Sequence, residues 1–104
     1  MVIKLNEYQE QKSKVFSGRT LGKSLRLKLD LDKYDNGEEE IVIEIPDETI
    51  SINSSFFLGL LSESIIYLGE EKFRKKYKFI CKNQIMEDVD DGIKKALKRS
   101  NVLD

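Results

Sequence analysis

Ile41-Val42-Ile43-Glu44-Ile45 limits the fold of this chain more than any other segment, because a nearly continuous β-branched run suits a strand buried in the middle of a sheet. The only proline, Pro46, follows at once and closes the run, since proline cannot donate to a ladder. The segment therefore reads as a central strand. A loop from Asp47 to Asn53 comes next, then a helix from Ser54 or Ser55 to about Tyr67, with Phe57, Leu61, Ile65 and Leu68 along one face. Gly69 ends that helix, Glu70 to Lys76 forms a charged extension, and Tyr77-Lys78-Phe79-Ile80-Cys81 reads as a second strand. Strand, helix and strand at this spacing call for a right-handed parallel crossover.

Upstream, Val2 to Leu5 alternates apolar and polar residues, and Lys14-Val15-Phe16 can pair with it across Asn6 to Ser13 as an antiparallel edge hairpin. Ser17 stands where it can cap a helix running to about Lys33. Leu25, Leu27, Leu29 and Leu31 alternate with charged residues as in a half-buried strand, so periodicity alone leaves strand and helix open. The lack of any β-branched residue between Leu21 and Asn36, and the stripe Leu21, Leu25, Leu29, favour helix, with Asp35-Asn36-Gly37 as its stop. A last helix is expected from about Gln84 to Arg99, with Met86, Val89, Ile93 and Leu97 as its apolar stripe. Its acidic residues come early (Glu87, Asp88, Asp90, Asp91) and its basic ones late, the order a helix dipole favours. The expected architecture is α/β: a small mixed sheet with an antiparallel edge and parallel central strands, covered by about three helices. At 104 residues there is material for one core, so residues 1–104 are read as a single domain.

Composition narrows the function. Eighteen Lys and Arg nearly cancel nineteen Asp and Glu, which removes the global field that would draw the chain to nucleic acid or to an anionic membrane. The longest nearly apolar stretch, Phe56 to Leu61, is far short of the ~20 residues that span a bilayer, and no signal-peptide pattern opens the chain. With a single cysteine, Cys81, no internal disulfide forms, and a cytoplasmic location is expected. The chain has no histidine, so Ser/His/Asp and Cys/His arrangements are impossible and the commonest transition-metal ligand is missing. No calcium-loop or glycine-rich phosphate-loop pattern occurs. The expectation is a non-enzymatic protein with no metal and no cofactor.

The order of elements and one local motif carry a resemblance. Ile50-Ser51-Ile52-Asn53-Ser54-Ser55-Phe56-Phe57-Leu58-Gly59-Leu60-Leu61 resembles the Asp-Ser-Ser-Gly-Leu-Gly segment of STAS domains, the family of sulfate transporter tails and anti-sigma factor antagonists. Of the two, the closer resemblance is to the STAS-like family of uncharacterised bacterial proteins. There a Ser-Gly-Arg or Ser-Arg helix start, here Ser17-Gly18-Arg19, precedes an Ile-rich strand and a Ser-Phe helix start, and a segment like Leu68-Gly69-Glu70-Glu71-Lys72-Phe73 follows, then a strand and a final Lys-rich helix. The similarity spans about Val2 to Arg99. It implies a phosphorylatable serine at Ser54 and a second serine at Ser55, with Asn53 in place of the family's aspartate and Phe56 in place of its glycine. It also implies a protein partner, an anti-sigma-type kinase or a histidine-kinase-like ATPase, with the Ser54 helix start and the preceding loop as contact surface; Asn53, Ser54, Ser55, Phe56 and Arg19 are the expected partner-binding residues.

Physical reasoning keeps alternatives beside each of these residues. A phosphate on Ser54 would sit at a helix N-terminus, where unpaired N–H groups and the dipole favour an anion, and would add about −1.5 to −2 charge at a partner surface. The same serines can instead be a plain N-cap, stabilising the helix by ~0.5–2 kcal/mol. Phe57 is expected in the core and Phe56 partly exposed as an aromatic anchor. Arg19 can bind a phosphate or carboxylate, or be merely solvated or paired. Cys81 is expected to be packed, and Glu38-Glu39-Glu40 and Arg74-Lys75-Lys76 to be solvated surface. Two other functions stand beside the regulatory one. One is a small-ligand or nucleotide-binding domain with an anion site at the same helix N-terminus. The other is a hydrolase using Asp47 or Glu48 with Ser54.

Overall fold

The computed structural model describes residues 1–8 and 15–103, with side chains through residue 98. The β-branched run forms β3 (Ile41–Glu44), and it is the central strand: the sheet order is β1-β3-β5, with β1 at Val2–Lys4 and β5 at Tyr77–Ile80. Both neighbours run parallel to it, with Ile3 beside Ile43 and Ile43 beside Phe79. Alternation gives the sheet one buried side, carrying Ile3, Ile41, Ile43 and Tyr77, while Val2, Lys4, Lys78 and Ile80 point outward and are exposed.

The antiparallel edge does not form. Val2–Lys4 pairs with β3 in parallel, and β2 (Val15–Phe16) makes a separate parallel pair with β4 (Ser51–Ile52) inside the expected loop. Leu5 explains part of the difference. It leaves the strand for a 3-10 turn, Leu5–Tyr8, and buries its side chain to 2% exposure, while Ile3 gains burial by joining β-branched β3. Residues 9–13 of the expected hairpin connection, and Lys14, lie outside the described residues.

Helix formation in the second segment is upheld, but not as one helix to Lys33. α1 (Arg19–Leu29) ends at Asp30, which adopts the left-handed conformation (φ 54°), and α2 (Leu31–Asp35) restarts after it. A straight continuation would put Leu31 on the same outward face as Leu27, by the 100° step of the helix. The bend instead turns Leu31 fully inward (0% exposed) and leaves Leu27 out at 79%. The alternating leucines thus reflect neither a strand nor one regular helix. Leu21 is half-exposed, and the inner face of α1 is Gly22, Leu25, Arg26 and Leu29.

α3 (Ser54–Leu68) lies between α1 and α5 (Asn83–Leu103) and is buried on almost every side, which is why its sequence is apolar nearly all round. Gly69 ends it at φ 81°. The charged extension is a further helix, α4 (Glu70–Lys76), held to the core by Phe73, whose ring stacks on Tyr77 at 4.6 Å. On α5 the buried side chains are those of Ile85, Val89, Ile93 and Ala96, beside the buried Gly92, with Met86 and Leu97 at the rim, so the stripe is rotated slightly from the expected one. Five helices, not three, cover the strands among the described residues.

Candidate functional site at two paired helix starts

The small β2–β4 pair brings two strand-to-helix turns side by side, Phe16-Ser17-Gly18-Arg19 and Ile52-Asn53-Ser54-Ser55. The Asn53 N–H donates to Phe16 O at 2.8 Å, which ties the second turn to the first. The Asn53 side chain is the N-cap of α3, accepting the Ser55 N–H at 3.0 Å. The Ser55 hydroxyl donates to Asn53 Oδ1 at 3.0 Å and accepts the Gly18 N–H at 3.4 Å. Asn53 therefore caps the first turn of α3 with its amide oxygen.

Ser17 does not cap α1. The residue preceding α1 is Gly18 at φ 97°, ψ 122°, and the start of α1 has no side-chain cap. Only glycine takes this backbone geometry without strain, and it directs the Gly18 N–H at Ser55. Beyond the starts, the two helices touch through backbone. A Cβ on Gly22 would lie 2.4 Å from Phe56 O, and one on Gly59 would lie 2.4 Å from Arg19 O. Hence α1 and α3 descend together from adjacent N-termini, and their positive dipole ends face the same solvent.

In this setting the two serines divide. Ser55 is held by two partners. Ser54, half-exposed in the first turn, has a hydroxyl without a hydrogen bond among the described residues. Arg19 is also half-exposed and makes no ion pair among them. Phe56 departs from expectation: it is 2% exposed, its ring 5.4 Å from that of Phe16, because the close Gly22 crossing seats the first turn of α3 inside the molecule. Phe57 is core as expected, packed on Phe79 and over Gly92 of α5. Four of the five expected contact residues are therefore brought to one surface, and Phe56 is beneath it.

Beside this surface, a groove of about 550 Å³ opens between the 3-10 turn, β2 and α1, with Tyr8, Phe16, Leu21 and Leu25 among its apolar walls and Ser17, Ser24 and Lys28 as polar groups. Asp47 and Glu48 are exposed in the turn after Pro46, and neither is hydrogen-bonded to Ser54 among the described residues.

A second polar centre escaped the sequence reading. Arg26, 5% exposed, donates through Nη1 to Leu60 O (2.9 Å) and Ser64 Oγ (2.8 Å), and through Nη2 to Asp32 (2.6 Å) and Asp35 (3.2 Å). Its Nε faces Glu63 at 2.9 Å, an ion pair too bent to count as a hydrogen bond. Asp35 also accepts from the hydroxyls of Ser64 and Tyr77. Burial works against the Arg26 charge, but the bonds to Asp32 and Asp35 outweigh it and hold the guanidinium above its ordinary pKa. Burial, reinforced by the bond to Asp35, pushes the Tyr77 phenol well above its usual value. The one signal for this centre was positional: Arg26 falls between Gly22, Leu25 and Leu29 on the inner helical face. Asp35, Ser64 and Tyr77 reach it from α2, α3 and β5, which no local pattern reveals.

Elsewhere, Cys81 is half-buried with its sulfur 3.9 Å from that of Met86, and burial, then Asp90, raises its thiol pKa. Arg74 pairs with Glu70 and Asp90, and Lys76 donates to the carbonyls of Gly37 and Glu39, so part of the basic cluster is structural. No helix among the described residues is long and apolar enough to cross a membrane. No sequence-family model, no curated protein and no solved structure matches the chain.

Proposed function

We propose that this chain is a non-enzymatic regulatory module that binds another protein through the paired helix starts and is switched by phosphorylation of Ser54, in the manner of the anti-sigma factor antagonists it resembles. The observation that carries the reading is the division of labour at the α3 start. Asn53 and Ser55 do the structural work, leaving the Ser54 hydroxyl half-exposed and unbonded beside two helix N-termini. A kinase-type ATPase partner would transfer the γ-phosphoryl of ATP to Ser54 Oγ, releasing ADP and the hydroxyl proton. The new phosphate would be accommodated by the helix starts while its charge repels an acidic partner surface. Arg19, beside Gly18, supplies a cation at the same place.

The test is capture of partners from the native host with wild type and Ser54→Glu, read by mass spectrometry. The reading expects an ATPase of the histidine-kinase type on wild type and its loss on Ser54→Glu; identical partner sets would refute the switch. The groove beside Tyr8 and Leu21 favours a second reading, a small-ligand-binding domain, since its size and its apolar walls with a few polar groups suit a small molecule. A thermal-shift screen with nucleotides and small amphipathic acids separates the two, because a ligand at 100 times its dissociation constant adds about 2.7 kcal/mol.

A further inference from the structure

The outward face of α1 has a composition that the chain as a whole does not. The net charge is −1, yet α1 holds four basic residues and no acidic one. One of the four, Arg26, is turned inward and neutralised by Asp32, Asp35 and Glu63. Among the described residues the other three make no ion pair: no carboxylate lies within bonding distance of Arg19 or Lys23, and the Lys28 ammonium lies 5.6 Å from the centroid of the Tyr8 ring. Lys23, Leu27 and Lys28 are all exposed, Lys28 at the rim of the groove beside Tyr8, and Leu27, at 79%, is the most exposed large apolar side chain among the described residues. The N-terminus of α1 adds its own positive end, uncapped by any side chain.

We infer that the outward face of α1 is a docking surface for an acidic segment of a protein partner, one that sets an apolar side chain on Leu27 and carboxylates on Lys23 and Lys28. This rests on the reading of the chain as a regulatory protein-binding module and names the chemistry of what it binds. A protein fits better than the other anionic macromolecules. Three cations on a net acidic domain are few for nucleic acid, whose binding scales with the number of phosphates neutralised. An anionic bilayer demands a broad apolar stripe, where α1 exposes two leucines, Leu27 and the half-exposed Leu21, six residues apart. The inference also gives the Ser54 switch a physical effect. Ser55 joins the α3 start to Gly18, so a phosphate on Ser54 would place its charge next to the start of α1 and oppose the same acidic segment.

The experiment is selection of a random dodecamer library, displayed on phage, against the intact protein. Peptides with several carboxylates around an apolar residue should be enriched, and their binding to Lys23→Glu/Lys28→Glu should weaken about tenfold, as two rim cations turn from attractive to repulsive. Lys94→Glu/Lys95→Glu makes the same charge change on the exposed side of α5 and should leave binding unchanged. Enrichment of neutral or basic peptides, no enrichment, or equal loss in both double variants overturns the inference. Tighter Lys23- and Lys28-dependent binding to phosphatidylglycerol vesicles or to single-stranded DNA also overturns it. A Ser54→Glu arm separates this inference from the switch. Peptides that need Lys23 and Lys28 but ignore Ser54→Glu uphold the docking face and refute the switch, whereas the reverse pattern refutes the docking face alone.

Discussion

Replacing Arg26 by methionine removes the group on which three helices converge while keeping most of its apolar volume. The Arg26 and Asp35 side chains are 6% and 3% exposed, so this is a desolvated pair, and deleting one member of such a pair costs about 3–5 kcal/mol. Asp32 and Glu63, with side chains 74% and 69% exposed, lie in high dielectric and contribute less than ~1 kcal/mol each. Most of the loss therefore belongs to Asp35, which keeps only the hydroxyls of Ser64 and Tyr77, and to the carbonyl of Leu60, which loses its side-chain donor. A domain of this size loses about 4–8 °C of melting temperature per kcal/mol, so Arg26→Met should melt at least ~12 °C below wild type. Urea unfolding of Arg26→Met, Asp35→Asn and the double variant measures the coupling directly. The double variant should lose on the order of 2 kcal/mol less than the sum of the singles, because the second substitution removes the partner the first one orphaned. A loss below about 1 kcal/mol for Arg26→Met, or strict additivity, would refute a buried pair and imply that water reaches the guanidinium.

Three further outcomes follow from the same geometry. Gly59→Ala places a Cβ 2.4 Å from Arg19 O, so despite a helix-propensity gain of about 1 kcal/mol it should cost about 1–3 kcal/mol net by forcing α1 off α3, measured by thermal unfolding. Ser55→Ala should lose about 0.5–1.5 kcal/mol through its bonds to Gly18 and Asn53, while Ser54→Ala should stay within ~0.5 kcal/mol; comparable losses at both positions would contradict their separation. Because the folded Tyr77 phenol ionises well above its usual value, the unfolded chain releases that proton first as pH rises. Its contribution is thus complete below about pH 10 and declines above it, and Tyr77→Phe should flatten the alkaline fall in urea midpoint.

Where local chemistry decides, the sequence was legible. The central strand at Ile41–Glu44, the α3 start at Asn53–Ser54, the glycine stop at Gly69 and the parallel β3–β5 pair all follow from β-branching, capping and spacing. The Ser54–Ser55 segment was also visible as a helix start, because capping residues act over two or three positions. What each serine does was not visible. That depends on Gly18, a residue 37 positions from Ser55, whose N–H occupies the hydroxyl of Ser55.

Tertiary structure alone decided the rest. Val2–Lys4 could pair with either of two partners, and the choice of β3 over β2 rests on what each arrangement buries. Helical phase sets Phe57 on the inner stripe and leaves Phe56 off it, yet Phe56 also goes inward because Gly22 lets α1 approach to backbone contact. Arg26 has only its place on the inner face of α1 to mark it, and its partners come with the bend at Asp30, which returns Asp32 and Asp35 to it. Propensity and periodicity are short-range properties of the chain. Which strand pairs, which aromatic ring is covered and which charge is buried are set by contacts between segments far apart in sequence.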